Sequence, residues 1–315
     1  QYHSRRNKMR LNILHIGLTT GLILAVSCGS GSASHHKFLL TESGNRVEKE
    51  LPNNQQTETF TQSLFQQNQN GDSRYTDSEE NIQKIPATDY KSVGLPITAK
   101  GTPEEILNRY AYIVSYNPKY KIPNWVMWHL TASHTDGPYK RGGIKFQQDP
   151  EATNCPTTFD YQRSGYDRGH MCPSADNRWS QRAQEECFLL SNICPQNHNL
   201  NSGDWSEMEK QCRNWANQYG DIYIICGPIF LKNQVHKHIG HGVQVPEAFF
   251  KVVYCPSIQK AIGFIYRNQP GDRPKGDYVN SVDEIERITG YDFFPALNKS
   301  LQDKLEKQAN LQDWY

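Results

Sequence analysis

The stretch Tyr166-Asp167-Arg168-Gly169-His170-Met171 places a carboxylate, a guanidinium, a glycine and an imidazole within six residues. Arg168 offers a planar fork of donors that suits a phosphate. His170 titrates near neutral pH and is able to take a proton from water. Gly169 between them leaves room for close approach of backbone or substrate. The combination suits attack on a phosphodiester, but four residues match by chance too often to decide the matter alone.

A second stretch changes the odds. Asn192-Ile193-Cys194-Pro195-Gln196-Asn197-His198-Asn199-Leu200-Asn201 runs on through Trp205 to Glu209 and Arg213. The order is Asp-Arg-Gly-His, then Asn-x-x-Pro-Gln, then Asn-x-Gly-x-Trp, with a Glu eight residues after that Asn and an Arg four further on. Together the stretches resemble the DNA/RNA non-specific endonuclease family, the endonuclease G-like enzymes with a ββα-metal site. Pieces farther along also fit, among them Tyr223-Ile224-Ile225-Cys226-Gly227-Pro228 and Val245-Pro246-Glu247-Ala248-Phe249-Phe250-Lys251. The resemblance covers roughly residues 108–300.

That resemblance implies a central sheet with the ββα-metal motif on one side, and cleavage of DNA and RNA to 5′-phosphate and 3′-hydroxyl ends. His170 would be the general base that deprotonates water, and Asn201 the single direct protein ligand of Mg²⁺, with Mn²⁺ or another divalent cation as a substitute. Mg²⁺ tolerates one protein ligand because it keeps several waters. Glu209 would hold those waters. Arg168 and Arg213 would grip the phosphate, and Arg141 is the candidate for a further phosphate contact. Asp167 would orient its neighbours, and Asn192 would support the site through hydrogen bonds. Each has a bland alternative. Glu209 and Arg213 stand at i,i+4 spacing and could simply pair. Arg141 could be a solvated turn charge, Asp167 a turn former, and Asn192 the end of a strand. His198, three residues before Asn201, reads as a bystander. The family often dimerises, which leaves a homodimer open.

The N-terminal region reads differently. From Met9 the chain runs Arg10, an apolar stretch over residues 11–24, then Ala25-Val26-Ser27-Cys28-Gly29. A short positive region, an apolar run and small residues describe a secretory signal. The small cluster ending at Cys28 resembles a bacterial lipoprotein box, so residues 1–28 are expected to form the signal, with Cys28 carrying lipid. The apolar run is short of the roughly 20 residues a membrane-spanning helix needs. An exported protein, anchored by lipid to the bacterial cell envelope, is the expectation. Residues 29–88 are rich in Ser, Gln, Asn, Thr and Glu and read as a disordered polar tether. His35-His36 within it carry no metal signal worth weight.

The endonuclease domain is expected over residues 89–315. Thr102-Pro103-Glu104-Glu105 carries a helix-start signal. Residues 110–116, 125–131, 189–193, 221–226, 249–254 and 261–266 read as strands. Trp205, Met208, Cys212, Trp215, Ala216 and Tyr219 fall at helical spacing and mark a core-facing helix. Ser281 opens a capped helix that Gly290 closes, and Leu297, Leu301 and Leu305 mark a last amphipathic helix. Strands and helices without regular βαβ alternation point to an α+β fold, with a central, mainly antiparallel sheet flanked by helices.

The 315 residues carry 34 Lys and Arg against 33 Asp and Glu, a net charge of +1. No global positive field draws nucleic acid in, so a polyanion surface has to be local. Eight cysteines are many for a reducing compartment and fit export. With Cys28 lipidated, seven remain, an odd number, and their pairing is open. Cys172 beside His170 does not make a thiol nucleophile, since nothing else in the chain builds such a site. His236, His238 and His241 form a weak cluster in a glycine-containing loop. The competing function is a catalytically inactive surface protein that binds nucleic acid on the same fold.

Overall fold

The structure, a computed structural model, describes residues 90–231 and 235–315. The expected signal, Cys28, His35-His36 and the polar tether lie outside the described residues. In chain order the first strands are β1 (Glu105–Asn108), β2 (Ile113–Asn117), β3 (Ile122–Thr131), β4 (Asp167–His170) and β5 (Ile193–Gln196). They are followed by β6 (Asp221–Ile229), β7 (His238–Ile239), β8 (Val243–Gln244), β9 (Ala248–Cys255), β10 (Lys260–Arg267) and β11 (Val279–Asn280). The helices are α1 (Gln181–Glu186), α2 (His198–Ser202), α3 (Asp204–Tyr219), α4 (Val282–Thr289) and α5 (Lys299–Glu306).

Seven strands form one sheet in the order β1-β2-β3-β6-β9-β10-β11, with every neighbouring pair antiparallel. The β4–β5 hairpin stands apart as its own two-stranded sheet. The central strands are buried on both faces, so their apolar residues run on without alternating. Val126, Trp128 and Leu130 of β3 enter one core with Ile222 and Ile224 of β6, whereas Trp125 and Met127 enter a second core with Tyr223 and Ile225. Helix α3 fills the first core through Trp205, Met208, Cys212, Trp215 and Ala216, as its spacing predicts. Helices α4 and α5 close the second through Val282, Ile285 and Leu305. Each fully buried large side chain of this kind contributes about 1.5–3 kcal/mol. The protein is thus α+β, with helices on both faces of an antiparallel sheet.

The sequence expectations differ from the structure in two places. The helix signal at Thr102 opens no helix; β1 forms there instead and pairs with β2. The Glu104 carboxylate accepts from Ser115 Oγ at 2.6 Å, so it braces the neighbouring strand rather than capping a helix. Residues 190–192 form a 3₁₀ turn, and the strand begins only at Ile193. The seven cysteines from Cys155 to Cys255 are all buried free thiols, packed as small apolar groups. The late histidines do not converge: His236 pairs with Glu247 at 2.9 Å and His241 with Asp160 at 2.7 Å. No helix among the described residues is long and apolar enough to cross a membrane.

Candidate active site

Strands β4 and β5 lie with Arg168 opposite Pro195 and His170 opposite Ile193. Gly169 is what lets them close: a Cβ there would stand 2.6 Å from Gln196 Cβ, nearer than any side chain tolerates. Asn192, fully buried, ties the chain leaving β4 to the chain entering β5. Its Oδ1 accepts from the Cys172 backbone N–H, and its Nδ2 donates to the carbonyls of Cys172 and Cys187, all at 2.9 Å. It braces the hairpin from behind. Helix α2 starts where the Asn197 side chain accepts from the backbone N–H groups of Asn199 and Leu200. Trp205 Nε1, at the start of α3, donates to the His170 carbonyl at 3.3 Å and fixes that helix against β4.

These elements wall an open cleft of about 540 Å³, lined by Arg141, Phe146, Asp167, Arg168, His170, Arg178, His198, Asn201 and Glu209 among others. Asn201 donates from Nδ2 to Asp167 Oδ2 at 2.9 Å, and His198 Nδ1 meets the same oxygen at 2.9 Å. An ionised carboxylate only accepts, so it takes the amide nitrogen and leaves Asn201 Oδ1 free. A hard cation such as Mg²⁺ wants such an oxygen, and the Glu209 carboxylate lines the same cleft. The donor set fits the cation.

His170 packs edge-on against Phe188, with ring centroids 4.9 Å apart, and tilted against Phe146 at 5.2 Å. Its Nε2 is shielded and has no hydrogen-bond partner. Four other histidines each meet an acid: His129 with Asp221, His198 with Asp167, His236 with Glu247 and His241 with Asp160. Burial, reinforced by the Arg141 guanidinium, pushes the His170 pKa down to about 3. The ring is therefore neutral at physiological pH.

Arg168 lies over the Phe146 ring at 4.9 Å and has no ion-pair partner among the described residues. Arg141 lies over Phe188 at 5.3 Å and Phe146 at 5.7 Å, which brings it to the cleft beside His170. Arg213 is placed otherwise. It donates to Asp176 Oδ1 at 2.8 Å, is only 16% exposed, and is not among the cleft-lining residues. Asp176, buried, also accepts from Trp128 Nε1 at 3.0 Å. Arg213 makes its ion pair with Asp176 rather than with Glu209.

Burial raises the Glu209 carboxyl to about 7, against the opposing pull of the Lys251 ammonium. Lys251 is wholly buried, 4.1 Å from the Trp205 ring centroid and 5.3 Å from that of Trp128. Burial alone would lower its pKa; the surrounding Cys226, Cys212, Glu209 and Asp176 outweigh that and hold it above the ordinary lysine value. Sequence reasoning missed Lys251, Arg178 and the position of His198. Lys251 had a signal, a lone charge inside an apolar strand, which requires a buried partner. Arg178 had only its nearness to the Asp167–His170 stretch.

A hairpin presenting Arg168 and His170, followed by helices presenting Asn201 and Glu209 to one cleft, defines a protein of the ββα class. Residues 92–300 match the sequence pattern of the DNA/RNA non-specific endonuclease family, and the chain belongs to that family. It is 33% identical over 238 residues to the mitochondrial nuclease EXOG of Xenopus laevis, covering 69% of this chain and 64% of that protein. Nuclease C1 of Cunninghamella echinulata var. echinulata is 34% identical, covering 64% of this chain and 86% of its own length. Human mitochondrial endonuclease G is 32% identical, with 61% and 70% covered. The fold also matches a solved structure of an EndoG/EndoGI complex with a TM-score of 0.61 and 27% identity, covering 69% of this chain and 95% of that one. The chain spans 60–64% of the length of the EXOG relatives from Xenopus laevis, Danio rerio and Homo sapiens.

Proposed function

We propose that the chain is a Mg²⁺-dependent, non-specific endonuclease that hydrolyses phosphodiester bonds of DNA and RNA. The observation that carries this reading is His170: a neutral imidazole with an unbonded nitrogen, in a cleft it shares with three arginines and the free oxygen of Asn201. Asn201 Oδ1 would hold the cation directly and Glu209 would hold its waters. The bound cation would offset charge on the phosphate and the departing oxygen. Arg168 and Arg141 grip the phosphate, and an anion seated there offsets the Arg141 charge, the lesser of the two causes, after burial, that depress His170. His170 then takes the proton of the attacking water. Phosphate and sugar contacts carry no direct sequence information, which accounts for a lack of base preference. Asp167 acts through Asn201 and Asn192 through the hairpin; both are positioning residues.

The same reading places the enzyme outside the cytoplasm, held to the cell envelope by lipid on Cys28; its support is the run from Met9 to Gly29. Cys28→Ser should release the protein from the membrane fraction. The deciding experiment for the chemistry incubates the full chain with supercoiled plasmid and a folded RNA, in Mg²⁺ or EDTA, beside His170→Ala. Mg²⁺-dependent degradation of both substrates, lost in the variant, is expected. Binding of both without cleavage, by folded protein across several divalent metals, would instead identify an inactive nucleic-acid binder.

A further inference from the structure

On the face of the sheet away from the cleft, the side chains of Asp283 and Glu286 from α4 meet that of Glu306 from α5. One carboxylate oxygen from each lies within 4.8 Å of one from each of the others. One ion about 2.3–2.6 Å from each oxygen spans such a triangle. Acidic groups gather on many surfaces without consequence, but Glu306 is not at a surface. It is 3% exposed, and its Oε1 is shielded from solvent with no hydrogen-bond partner. An unsatisfied buried carboxylate oxygen is costly, and costlier beside two like charges.

The Gln302 amide and the Lys299 charge ease the Glu306 carboxyl, but neither gives Oε1 a hydrogen bond, because both are also engaged elsewhere. Gln302 Nε2 donates to Asp292 Oδ1 and to the Phe293 carbonyl, both at 2.8 Å. Lys299, the cation that acts on both Glu286 and Glu306, pairs with Asp303 at 2.9 Å. Arg287 pairs with Glu284. Glu286 accepts from the Phe293 backbone N–H through Oε1 at 2.7 Å, which fixes its carboxylate.

We propose that Asp283, Glu286 and Glu306 bind a hard divalent cation, Ca²⁺ in preference to Mg²⁺, which staples α5 to α4. All three ligands are carboxylates, the donors Ca²⁺ favours, and Ca²⁺ accepts them singly or in pairs of oxygens in irregular geometry; Mg²⁺ demands near-octahedral order and keeps its waters. The ion supplies the partner that Glu306 Oε1 lacks. The site is independent of the nuclease reading, since α4 and α5 pack on the second core and the cleft lies against the first.

The test measures Ca²⁺ uptake by equilibrium dialysis on the full chain. The Asn201→Ala background removes the cleft's own cation ligand. One Ca²⁺ per chain is expected in that background, and none when Glu306→Gln is added. In parallel, Ca²⁺ at about 100-fold over its dissociation constant should raise the melting temperature of the wild type by about 5–10 °C. Glu306→Gln should lose that response while cleaving plasmid in Mg²⁺ at the wild-type rate. Asp283→Asn serves as the second variant should Glu306→Gln fold poorly. Unchanged uptake in both variants would overturn the proposal and leave Glu306 as a carboxyl that shares a proton with Glu286. An equal melting response to Mg²⁺ would overturn the preference for Ca²⁺.

Discussion

The two faces of the central sheet hold their buried carboxylates in opposite ways. Toward the cleft, Asp176 and Glu209 lie among cations: Arg213 bonds Asp176 at 2.8 Å, and Lys251 lies beneath them between Trp128 and Trp205. On the far face, Glu306 gathers with Glu286 and Asp283, and no described lysine or arginine forms an ion pair with any of the three. A site for a polyanion has to build its positive charge into the protein, where it stays when substrate leaves. A cation site is built the other way, with the positive charge left for the ligand to bring. Burial raises both Glu209 and Glu306; the largest neighbouring influence on Glu209 is the opposing Lys251 ammonium, whereas on Glu306 it is the like charge of Glu286.

Three substitutions test the cleft side of this contrast, in descending order of effect. His170→Ala should lower cleavage by about 10²–10⁴-fold and leave the melting temperature and its Ca²⁺ response unchanged; wild-type rates would remove His170 from the chemistry. Lys251→Met makes the cleft face resemble the far one by stripping its buried cation. It should cost about 3–5 kcal/mol in urea unfolding, and a variant as stable as wild type would mean the lysine balances nothing. Asp167→Ala frees the Asn201 amide to rotate, so the Mg²⁺ concentration for half-maximal cleavage should rise by about 10–100-fold. An unchanged Mg²⁺ requirement would show that Asp167 does not orient Asn201.

The contrast also separates what could be read in the sequence from what could not. The motif was legible through its resemblance to a known family, with Arg168, His170, Asn201 and Glu209 at fixed spacing, but the strand Asp167–His170 itself was not read from the sequence. The apolar face of α3 was equally plain, because one helix face is set by residues three and four apart. The strand at Glu105 was not, since a Thr-Pro-Glu-Glu start signal is local and pairing with β2 overrode it. Arg213 showed the same limit. Its spacing from Glu209 suggested a pair along the helix, but its partner, Asp176, comes from another part of the chain. Arg178 reaches the cleft only through tertiary packing, and the carboxylates of α4 and α5 meet across a turn that leaves no linear motif.

Glu306 gives the sharpest test of the contrast, read in the presence of a chelator. Its folded pKa is about 8, against 4.5 for the free side chain. Below pH 4.5 the carboxyl is protonated in both states and costs nothing. Between pH 4.5 and 8 the unfolded chain releases the proton while the folded chain keeps it. The folded state then binds more protons, so stability falls as pH rises through this window. Glu306→Gln removes that linkage. The variant should gain on the wild type from nothing at pH 4 to roughly 4 kcal/mol at pH 8, at about 1.4 kcal/mol per pH unit. Added Ca²⁺ should narrow the gap at pH 8, because only the wild type then has a ligand set to offer. Stability curves that run parallel from pH 4 to 9 would show that burial and like charge do not hold Glu306 protonated, and the two faces would differ less than their geometry says. Glu209 should show less of this pH dependence than Glu306, since burial, opposed first by Lys251, raises it only to about 7.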